Sequence, residues 1–312
     1  MSAKKIAVVF PGLGSQRVGM AKDFIETYSE SRAIFDIASD ALGVDLTEVC
    51  FNSEVQLNKT EYIQPAILAT EIAMYVVIEK HFSIKADFFA GHSLGEYVAL
   101  TAAGVVGIKD AFLIVNGRES LVQNTMKKGN GGMTALIYED IETEQIAYVL
   151  KETSVEIANY NSPKQLVLSG PKQSLELATQ LLKGHFPTMR MVSLDVGYPF
   201  HSSYMKSAEV ELKNFLQPFL PRMDCSKSEV VLSNLTGNFH TASMMPDNLV
   251  KQLSHSVQWG RCMSNLIECS DEIIEIGPNR VLKRFFSDAG KTISSIYNLR
   301  SLNNYLKSSS SV

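Results

Sequence analysis

Residues 88–100, FFAGHSLGEYVAL, put one serine between two glycines at the point where a strand-like run meets a helix-like run. This is the pattern of a nucleophile elbow, in which a tight turn lifts the hydroxyl of Ser93 out of the sheet for attack. The same letters also fit an ordinary glycine-rich turn whose serine caps the following helix. The pentapeptide alone leaves both interpretations open, and the rest of the chain has to separate them.

The composition is that of a globular protein and argues against several function classes. Of the 312 residues, 45% are hydrophobic and 20% are charged, which allows a sizeable core. A formal net charge of -4 gives no general attraction for nucleic acid or for an anionic membrane. The apolar run Ile6–Phe10 is too short for a signal peptide, and no run approaches the roughly 18 apolar residues of a membrane span. The four scattered cysteines predict reduced thiols, a cytoplasmic location and no metal site.

The order of strand-like and helix-like segments predicts an α/β protein with two parts. The first half alternates strands and helices, including a helix over about residues 21–41, which indicates a parallel sheet covered by helices. Residues 131–196 follow a β-α-β-β-α-β order, the ferredoxin-like pattern, and form a predicted inserted subdomain. The large domain is then discontinuous, 1–130 and 197–305, and the serine-rich residues 306–312 are predicted to be disordered.

Several polar residues are candidates for chemistry with Ser93. His201 follows GYPF where the subdomain returns to the large domain, a common place for active sites, although a structural loop histidine is the alternative. Arg118 is either a surface arginine in a salt bridge or a buried guanidinium that pairs with a substrate carboxylate. His92 should point away from Ser93 but could hydrogen-bond within the site. The loop around Leu13 lacks a P-loop lysine and could aim a backbone N–H at an oxyanion.

Taken together, these residues resemble the malonyl-CoA:acyl carrier protein transacylase family over about residues 5–295. The family includes the stand-alone enzyme of fatty acid synthesis and the acyltransferases of polyketide synthases. The resemblance favours the nucleophile interpretation of Ser93 and implies an α/β-hydrolase-like large domain, with a parallel sheet, plus an inserted ferredoxin-like small subdomain. It rests on an ordered series of motifs: VFPGLGSQRVGM, QPAILA, GHSLGEYVAL, GRESLVQ, ANYNSPKQLVLSG, GYPFHSSYM, LSNLTG, SVQW and EIGPNRVL.

The resemblance assigns a role to each part of the catalytic apparatus. Ser93 is the acylated nucleophile, and His201 is the general base and acid. The family's histidine is oriented by a main-chain carbonyl, which the SVQW motif places on Gln258, and no acidic triad member is identified. The backbone N–H groups of Leu13 and Leu94 form the oxyanion hole.

The resemblance also implies the substrate and the partner. Arg118 matches the arginine that holds the free carboxylate of a malonyl group. Phe200 and His92 are expected to influence which acyl group is accepted, and Phe200 resembles a bulky family residue that leaves little room for an α-methyl branch. Malonyl-CoA would acylate Ser93, and the phosphopantetheine thiol of an acyl carrier protein would then take the malonyl group. The implied enzyme is a monomer and binds no cofactor. A basic patch is expected near the cleft, because most carrier proteins are acidic. Lys164, Arg190 and Arg280 are candidates for it, but the sequence does not place them on one face.

Two departures from the family pattern keep alternatives open. Leu13 replaces the first glutamine of the usual GQGSQ loop, and the residues Tyr198-Pro199-Phe200 look more like polyketide-type variants. The chain therefore serves either fatty acid synthesis or, acting in trans, polyketide synthesis. The alternative function is an editing hydrolase on the same scaffold, in which water rather than a thiol resolves the Ser93 ester. A non-catalytic scaffold that binds carrier proteins is a further alternative.

Overall fold

A computed structural model describes residues 4–139 and 142–309. The eight strands within these ranges are β1 (Ile6–Phe10), β2 (Phe88–Gly91), β3 (Gly131–Ile137), β4 (Glu156–Ser162), β5 (Gln165–Pro171), β6 (Arg190–Leu194), β7 (Glu272–Ile276) and β8 (Ser294–Ile296). The α-helices are α1 (Lys22–Thr27), α2 (Ser29–Leu42), α3 (Leu46–Asn52), α4 (Glu54–Leu57), α5 (Thr60–Phe82), α6 (Leu94–Ala102), α7 (Ile108–Thr125), α8 (Thr143–Leu150), α9 (Lys172–His185), α10 (Lys206–Leu216), α11 (Met245–Lys251), α12 (Trp259–Cys269), α13 (Val281–Asp288) and α14 (Leu299–Ser309). Three short 3-10 turns cover Ser203–Met205, Leu220–Arg222 and Cys225–Val230.

The large domain is built on a four-stranded parallel sheet in the order β2-β1-β7-β8. Its central strand β1 is covered on both faces, and residues 7–10 are completely buried, as expected for a strand of a parallel sheet. Phe10 at the end of β1 lies opposite Gly91 at the end of β2. The loops that follow these two strands therefore leave the sheet side by side, and they carry Leu13 and Ser93.

The longest helix, α5, runs through the core of the large domain. By length and composition alone it would be able to cross a membrane, which the sequence analysis did not anticipate, but 78% of its most apolar 18-residue window is buried inside the protein. It packs against α2, α6 and α7. Its apolar character on all sides is thus explained by burial between other helices.

The small subdomain is a four-stranded antiparallel sheet in the order β4-β5-β3-β6 with helices α8 and α9 against it. Sheet and helices together occupy residues 131–194 in the order β-α-β-β-α-β. The predicted fold class, a parallel-sheet domain with an inserted ferredoxin-like subdomain, is confirmed. The two parts are joined by hydrogen bonds from Val257 N to Ala158 O (2.8 Å) and from Tyr160 N to Val257 O (2.9 Å).

Two local predictions are wrong. The predicted helix over residues 21–41 is interrupted at Tyr28, whose extended backbone lets its ring pack against His81 and Phe82 of α5. Residues 306–309, predicted to be disordered, form the end of α14, which is anchored by the buried Leu302 and by Tyr305. Residues 310–312 of the predicted tail lie outside the described residues.

Gly95, at the start of α6, provides a test of how closely this helix approaches the end of β1. A Cβ built on Gly95 would lie 2.3 Å from the carbonyl oxygen of Phe10, which is backbone and cannot rotate away. We expect Gly95→Ala to destabilise the protein by about 3 kcal/mol or more, measured by urea unfolding. Gly184 is the matched control, because it is also helical and a Cβ there meets nothing within 4 Å. Gly184→Ala should stabilise by about 0.5–1 kcal/mol, and equal effects of the two changes would contradict the steric interpretation.

Candidate active site

Ser93 sits on a strained turn between β2 and α6. Its backbone angles are φ 53° and ψ -105°, a conformation that non-glycine residues rarely adopt. The turn is tight enough that a Cβ on Gly91 would lie 1.9 Å from the backbone of Gly95. Both glycines of G-x-S-x-G are therefore required by close backbone contact. The geometry is that of a nucleophile elbow rather than of a serine that caps a helix, because the Ser93 side chain makes no capping hydrogen bond.

His201 is in direct contact with the Ser93 hydroxyl. The distance from Ser93 Oγ to His201 Nε2 is 2.7 Å, so Nε2 can accept the hydroxyl proton. His201 is 3% exposed and also has a left-handed backbone, with φ 58°. Its N–H donates to the carbonyl of Leu253 (3.0 Å), which fixes the turn against the end of α11. Both partners of the pair are thus held in strained conformations by their surroundings.

The main-chain carbonyl that orients His201 belongs to Gln252, and the prediction of Gln258 is wrong. His201 Nδ1 donates to the carbonyl oxygen of Gln252 at 2.8 Å. Gln252 is the residue that follows the last turn of α11, where helix carbonyls have no intrahelical partner and are free to accept. The carbonyl of Gln258 instead accepts from the N–H groups of Arg261 and Cys262 in the first turn of α12.

The surroundings keep His201 neutral. Burial, followed by the positive charge of Arg118, lowers the pKa of His201 to about 3. The hydrogen bond to the Gln252 carbonyl acts against this shift, but burial dominates. A neutral imidazole with Nδ1–H donated to a carbonyl leaves Nε2 free to act as a base.

The residues predicted to form an oxyanion hole lie next to each other. Leu94 is the first residue of α6, so its N–H has no acceptor within the helix. A Cβ built on Gly12 would lie 3.6 Å from Leu94 N, which shows how closely the β1 loop approaches that donor. Leu13 and Leu94 both line the cleft that contains Ser93. The geometry can place two backbone donors near a carbonyl carbon that is attacked by Ser93.

Arg118 is a buried cation whose guanidinium is only partly hydrogen-bonded within the described residues. It lies on α7 and is 1% exposed, and Nη1 donates to Gln64 Oε1 at 3.2 Å. Nε and Nη2 are buried and have no hydrogen-bond partner among the described residues. The neighbouring Glu119 accepts from the amide of Gln64, and burial raises the pKa of Glu119 to about 7, against the influence of Arg118. The interpretation of Arg118 as an exposed salt-bridge residue is therefore wrong.

The cleft that contains Ser93 lies between the two parts of the molecule and has a volume of about 640 Å³. Phe200 and His92 both line it. His92 contacts Asn161 Oδ1 through Nε2 at 2.7 Å, and burial lowers the pKa of His92. A second chamber of about 870 Å³ adjoins this cleft and shares Leu13 and Phe200 with it.

Three exposed arginines line the same cleft: Arg190, Arg280 and Arg284. Arg190 and Arg280 are two of the candidates for a basic patch, and Arg284 is an additional residue there. Lys164 is absent from the lining residues and instead pairs with Glu139. These positive charges make the cleft attractive to an anionic ligand.

Sequence analysis missed Gln64 and Asn234, two buried amides that contact the site. Asn234 Oδ1 accepts from the backbone N–H of Ser93 at 2.6 Å. Gln64 lies in the motif QPAILA and Asn234 in the motif LSNLTG. For Gln64, a polar residue inside an otherwise apolar motif was the available signal, whereas LSNLTG contains other polar residues and gives no such signal for Asn234.

Comparison with known proteins agrees with this geometry. Residues 7–309 match the family described as the acyl transferase domain. The chain belongs to this family. The malonyl CoA-acyl carrier protein transacylase of Bacillus subtilis is 36% identical to this acyl transferase over 301 residues, which is 94% of this chain and 92% of that protein.

Two further comparisons extend this similarity. A polyketide biosynthesis malonyl CoA-acyl carrier protein transacylase of Bacillus subtilis is also 36% identical, over 282 residues, 89% of this chain and 94% of that protein. A malonyl-transacylase solved in complex with its type II polyketide synthase acyl-carrier protein superposes with a TM-score of 0.88. That structure is 32% identical, and the superposition covers 97% of this chain and 99% of that chain.

The low pKa of His201 predicts how the reactivity of Ser93 in this acyl transferase depends on pH. With a pKa of about 3, His201 stays deprotonated as the pH falls from 8 to 5, so labelling by an uncharged fluorophosphonate should change less than about threefold. A histidine with a pKa of about 6.5 would be roughly 97% protonated at pH 5, and labelling would slow about 30-fold. Ser93→Ala should not label at any pH. A midpoint near pH 6.5, with the protein still folded by circular dichroism, would contradict the prediction.

Proposed function

We propose that this acyl transferase moves a malonyl group from malonyl-CoA, through an ester on Ser93, to the phosphopantetheine thiol of an acyl carrier protein. The observation that carries the proposal is the buried guanidinium of Arg118, which lines the Ser93 cleft and whose Nε and Nη2 have no hydrogen-bond partner within residues 4–139 and 142–309. The relatives are named malonyl CoA-acyl carrier protein transacylase, in one case of polyketide biosynthesis, and one malonyl-transacylase was solved with its acyl-carrier protein. These names support the same substrate and the same partner.

In the first half-reaction, Ser93 Oγ attacks the thioester carbonyl while His201 Nε2 takes the hydroxyl proton. The oxyanion that forms is stabilised by the N–H groups of Leu13 and Leu94. When the tetrahedral intermediate collapses, the carbon–sulfur bond breaks, the malonyl group stays on Ser93, and the CoA thiolate leaves with the proton from His201. The contact of 2.7 Å between Ser93 and His201 supports this proton transfer.

The second half-reaction reverses these steps with a different thiol. The phosphopantetheine thiol of the carrier protein gives its proton to His201 Nε2, and its sulfur attacks the ester carbonyl. The same two backbone donors stabilise the oxyanion. Collapse breaks the bond to Ser93 Oγ, which recovers the proton from His201. The Gln252 carbonyl holds the imidazole in one orientation during both steps.

The free edge of Arg118 fits a carboxylate. Nε and Nη2 lie on one edge of the planar guanidinium and can donate two parallel hydrogen bonds. The protein itself shows this geometry elsewhere, since Arg222 holds Asp110 through Nε at 2.8 Å and Nη2 at 2.9 Å. A neutral acyl group would leave the buried edge of Arg118 unpaired, so malonyl is preferred over acetyl.

The side chains around Arg118 are expected to set the finer acyl preference. Phe200 is 7% exposed, and its ring centroid is 5.8 Å from the Arg118 guanidinium. A branch at the α-carbon of the acyl group would meet this ring, which disfavours methylmalonyl by about 1–3 kcal/mol. His92 and Leu13 form other parts of the same wall.

The remaining expectations form part of the proposal. Arg190, Arg280 and Arg284 would face the phosphate groups of CoA or of the carrier's prosthetic group.

The proposed chemistry uses side chains, backbone donors and the two thioesters, so we expect no bound cofactor. All four cysteines are free, which suits a cytoplasmic location, and a monomer remains the expectation. No observation supports the editing hydrolase, whose neutral acyl chains would not need Arg118.

Intact-mass spectrometry tests the proposal directly. The protein is mixed with malonyl-CoA, methylmalonyl-CoA and acetyl-CoA, and then with a holo acyl carrier protein. We expect a malonyl adduct on wild-type protein, none on Ser93→Ala, and transfer of the adduct to the carrier. Loss of acyl groups from a pre-loaded carrier, without a malonyl adduct that moves to it, would contradict transfer and support hydrolysis.

Arg118→Gln tests the carboxylate site. We expect the rate of acylation by malonyl-CoA to fall about 100-fold, because a charged pair of hydrogen bonds is lost, while the acetyl-CoA rate is unchanged or higher. Arg222→Gln is the matched control, since it removes the same kind of bidentate pair at an exposed position. The control should leave both rates within about twofold. Equal losses of the malonyl and acetyl rates in Arg118→Gln would make Arg118 a structural residue.

A further inference from the structure

A completely buried carboxylate lies directly beneath the active site. Glu96 is on α6, is 0% exposed, and lines neither of the two chambers of the cleft. It accepts hydrogen bonds from Asn234 N (3.1 Å), Gln252 Nε2 (2.7 Å) and His240 Nε2 (2.9 Å). Three donors on one buried carboxylate are the arrangement that offsets the cost of removing its charge from water.

Two of these three donors belong to residues that hold the Ser93 turn. Asn234 Oδ1 accepts from Ser93 N at 2.6 Å, and Asn234 Nδ2 donates to the carbonyl of Gly91 at 2.7 Å. Gln252 Nε2 donates to the carbonyl of Ser93 at 3.0 Å as well as to Glu96. The strained peptide groups on both sides of Ser93 are therefore tied to residues that Glu96 anchors.

Gln252 also joins Glu96 to the base. Its main-chain carbonyl is the acceptor for His201 Nδ1, and its side-chain amide is held by Glu96. The position of the carbonyl is thus fixed by the same residue that fixes the back of the Ser93 turn. A shift of Gln252 would move the acceptor of His201 and the backbone of Ser93 together.

His240 supplies the third donor and completes the network. Its side chain is 0% exposed, and Asn248 Nδ2 lies 3.3 Å from its Nδ1. When Asn248 donates to Nδ1, His240 is the neutral tautomer that carries its proton on Nε2 and donates it to Glu96. His240 is buried although it lies in a polar stretch of the sequence, residues 236–243.

We propose that Glu96 is a positioning residue that sets the distance between Ser93 and His201, acting through Gln252 and Asn234, with His240 fixing the orientation of its carboxylate. Because the proton passes over a single contact of 2.7 Å, a displacement of one partner lowers the rate of Ser93 attack without touching the acyl-binding residues. None of the hydrogen bonds described above for Glu96, Gln252, Asn234 and His240 involves Arg118 or Phe200. This inference rests on the proposed function only in taking Ser93 and His201 as the reacting pair.

Gln252→Met is the first test, because it keeps the backbone carbonyl and most of the side-chain volume but removes the amide donor to Ser93 and Glu96. We expect kcat to fall about 10- to 100-fold, with KM for malonyl-CoA within about twofold of wild type. Fluorophosphonate labelling of Ser93 should slow by a similar factor. Ser31→Ala is the control for loss of a buried hydrogen bond, since it removes a bond to Ala73 O (2.7 Å) away from the site. Its kcat and its labelling rate should match wild type.

The His240 variants separate positioning from simple structural support. Gln at position 240 can still donate an N–H to Glu96, whereas Leu cannot. We expect His240→Leu to lower kcat and the labelling rate about tenfold per folded molecule, and His240→Gln to restore most of the loss. The folded fraction is measured by circular dichroism and thermal melting, so that unfolded protein is not counted as inactive enzyme.

Two results would overturn the inference. The first is a Gln252→Met variant whose labelling rate and kcat equal those of wild type. The second is a His240→Gln variant whose labelling rate and kcat are no higher than those of His240→Leu at equal folded fraction. Labelling reports on Ser93 and His201 even if malonyl-CoA is not the substrate. Wild-type protein that labels rapidly but forms no malonyl adduct would therefore contradict the proposed function and leave the positioning network to be judged by labelling alone.

Discussion

The close backbone contact between the end of β1 and the start of α6 is the constraint on which the active site depends. Gly95 can approach the carbonyl of Phe10 only because it has no Cβ, and His92 N donates to that same carbonyl at 3.0 Å. Ser93, which lies between Gly95 and His92, has a positive φ of 53°. The same contact also brings the Gly12 loop beside the start of α6. The nucleophile and both oxyanion donors therefore follow the ends of two adjacent strands, which is where ligands commonly bind in parallel sheets.

Three kinds of buried ionisable group occur among the described residues, and the differences between them indicate their functions. Glu96 has three donors and is structurally satisfied. Glu71 has no hydrogen-bond partner among the described residues, and burial together with the nearby Glu275 raises its pKa, which favours the neutral acid. Arg118 cannot shed its proton in this way, so its free edge is a cost to the folded protein until an anion binds. Only the last kind calls for a ligand.

The sequence predicted the elements that depend on local pattern and failed where tertiary contacts decide. Ser93, His201 and Arg118 were found because each lies in a motif of fixed order, and the β-α-β-β-α-β segment was found from its periodicity. The carbonyl partner of His201 could not be found in this way, since every residue has a carbonyl and only the end of α11 leaves one free at the right place. Gln258, six residues further on, lies in a recognisable motif but uses its carbonyl to start a helix. The burial of His240 beside Glu96, which is distant in sequence, was equally invisible.

Recognition of the substrate and strength of the base are coupled through Arg118. The positive charge of Arg118 is one cause of the low pKa of His201, after burial. A carboxylate that pairs with Arg118 would offset that charge, which would raise the pKa of His201 and make Nε2 a better proton acceptor. An acetyl group would leave the positive charge uncompensated and His201 a weaker base. The Arg118 guanidinium would then favour malonyl both in binding and in the transition state, because a higher basicity of His201 lowers the barrier to attack by Ser93.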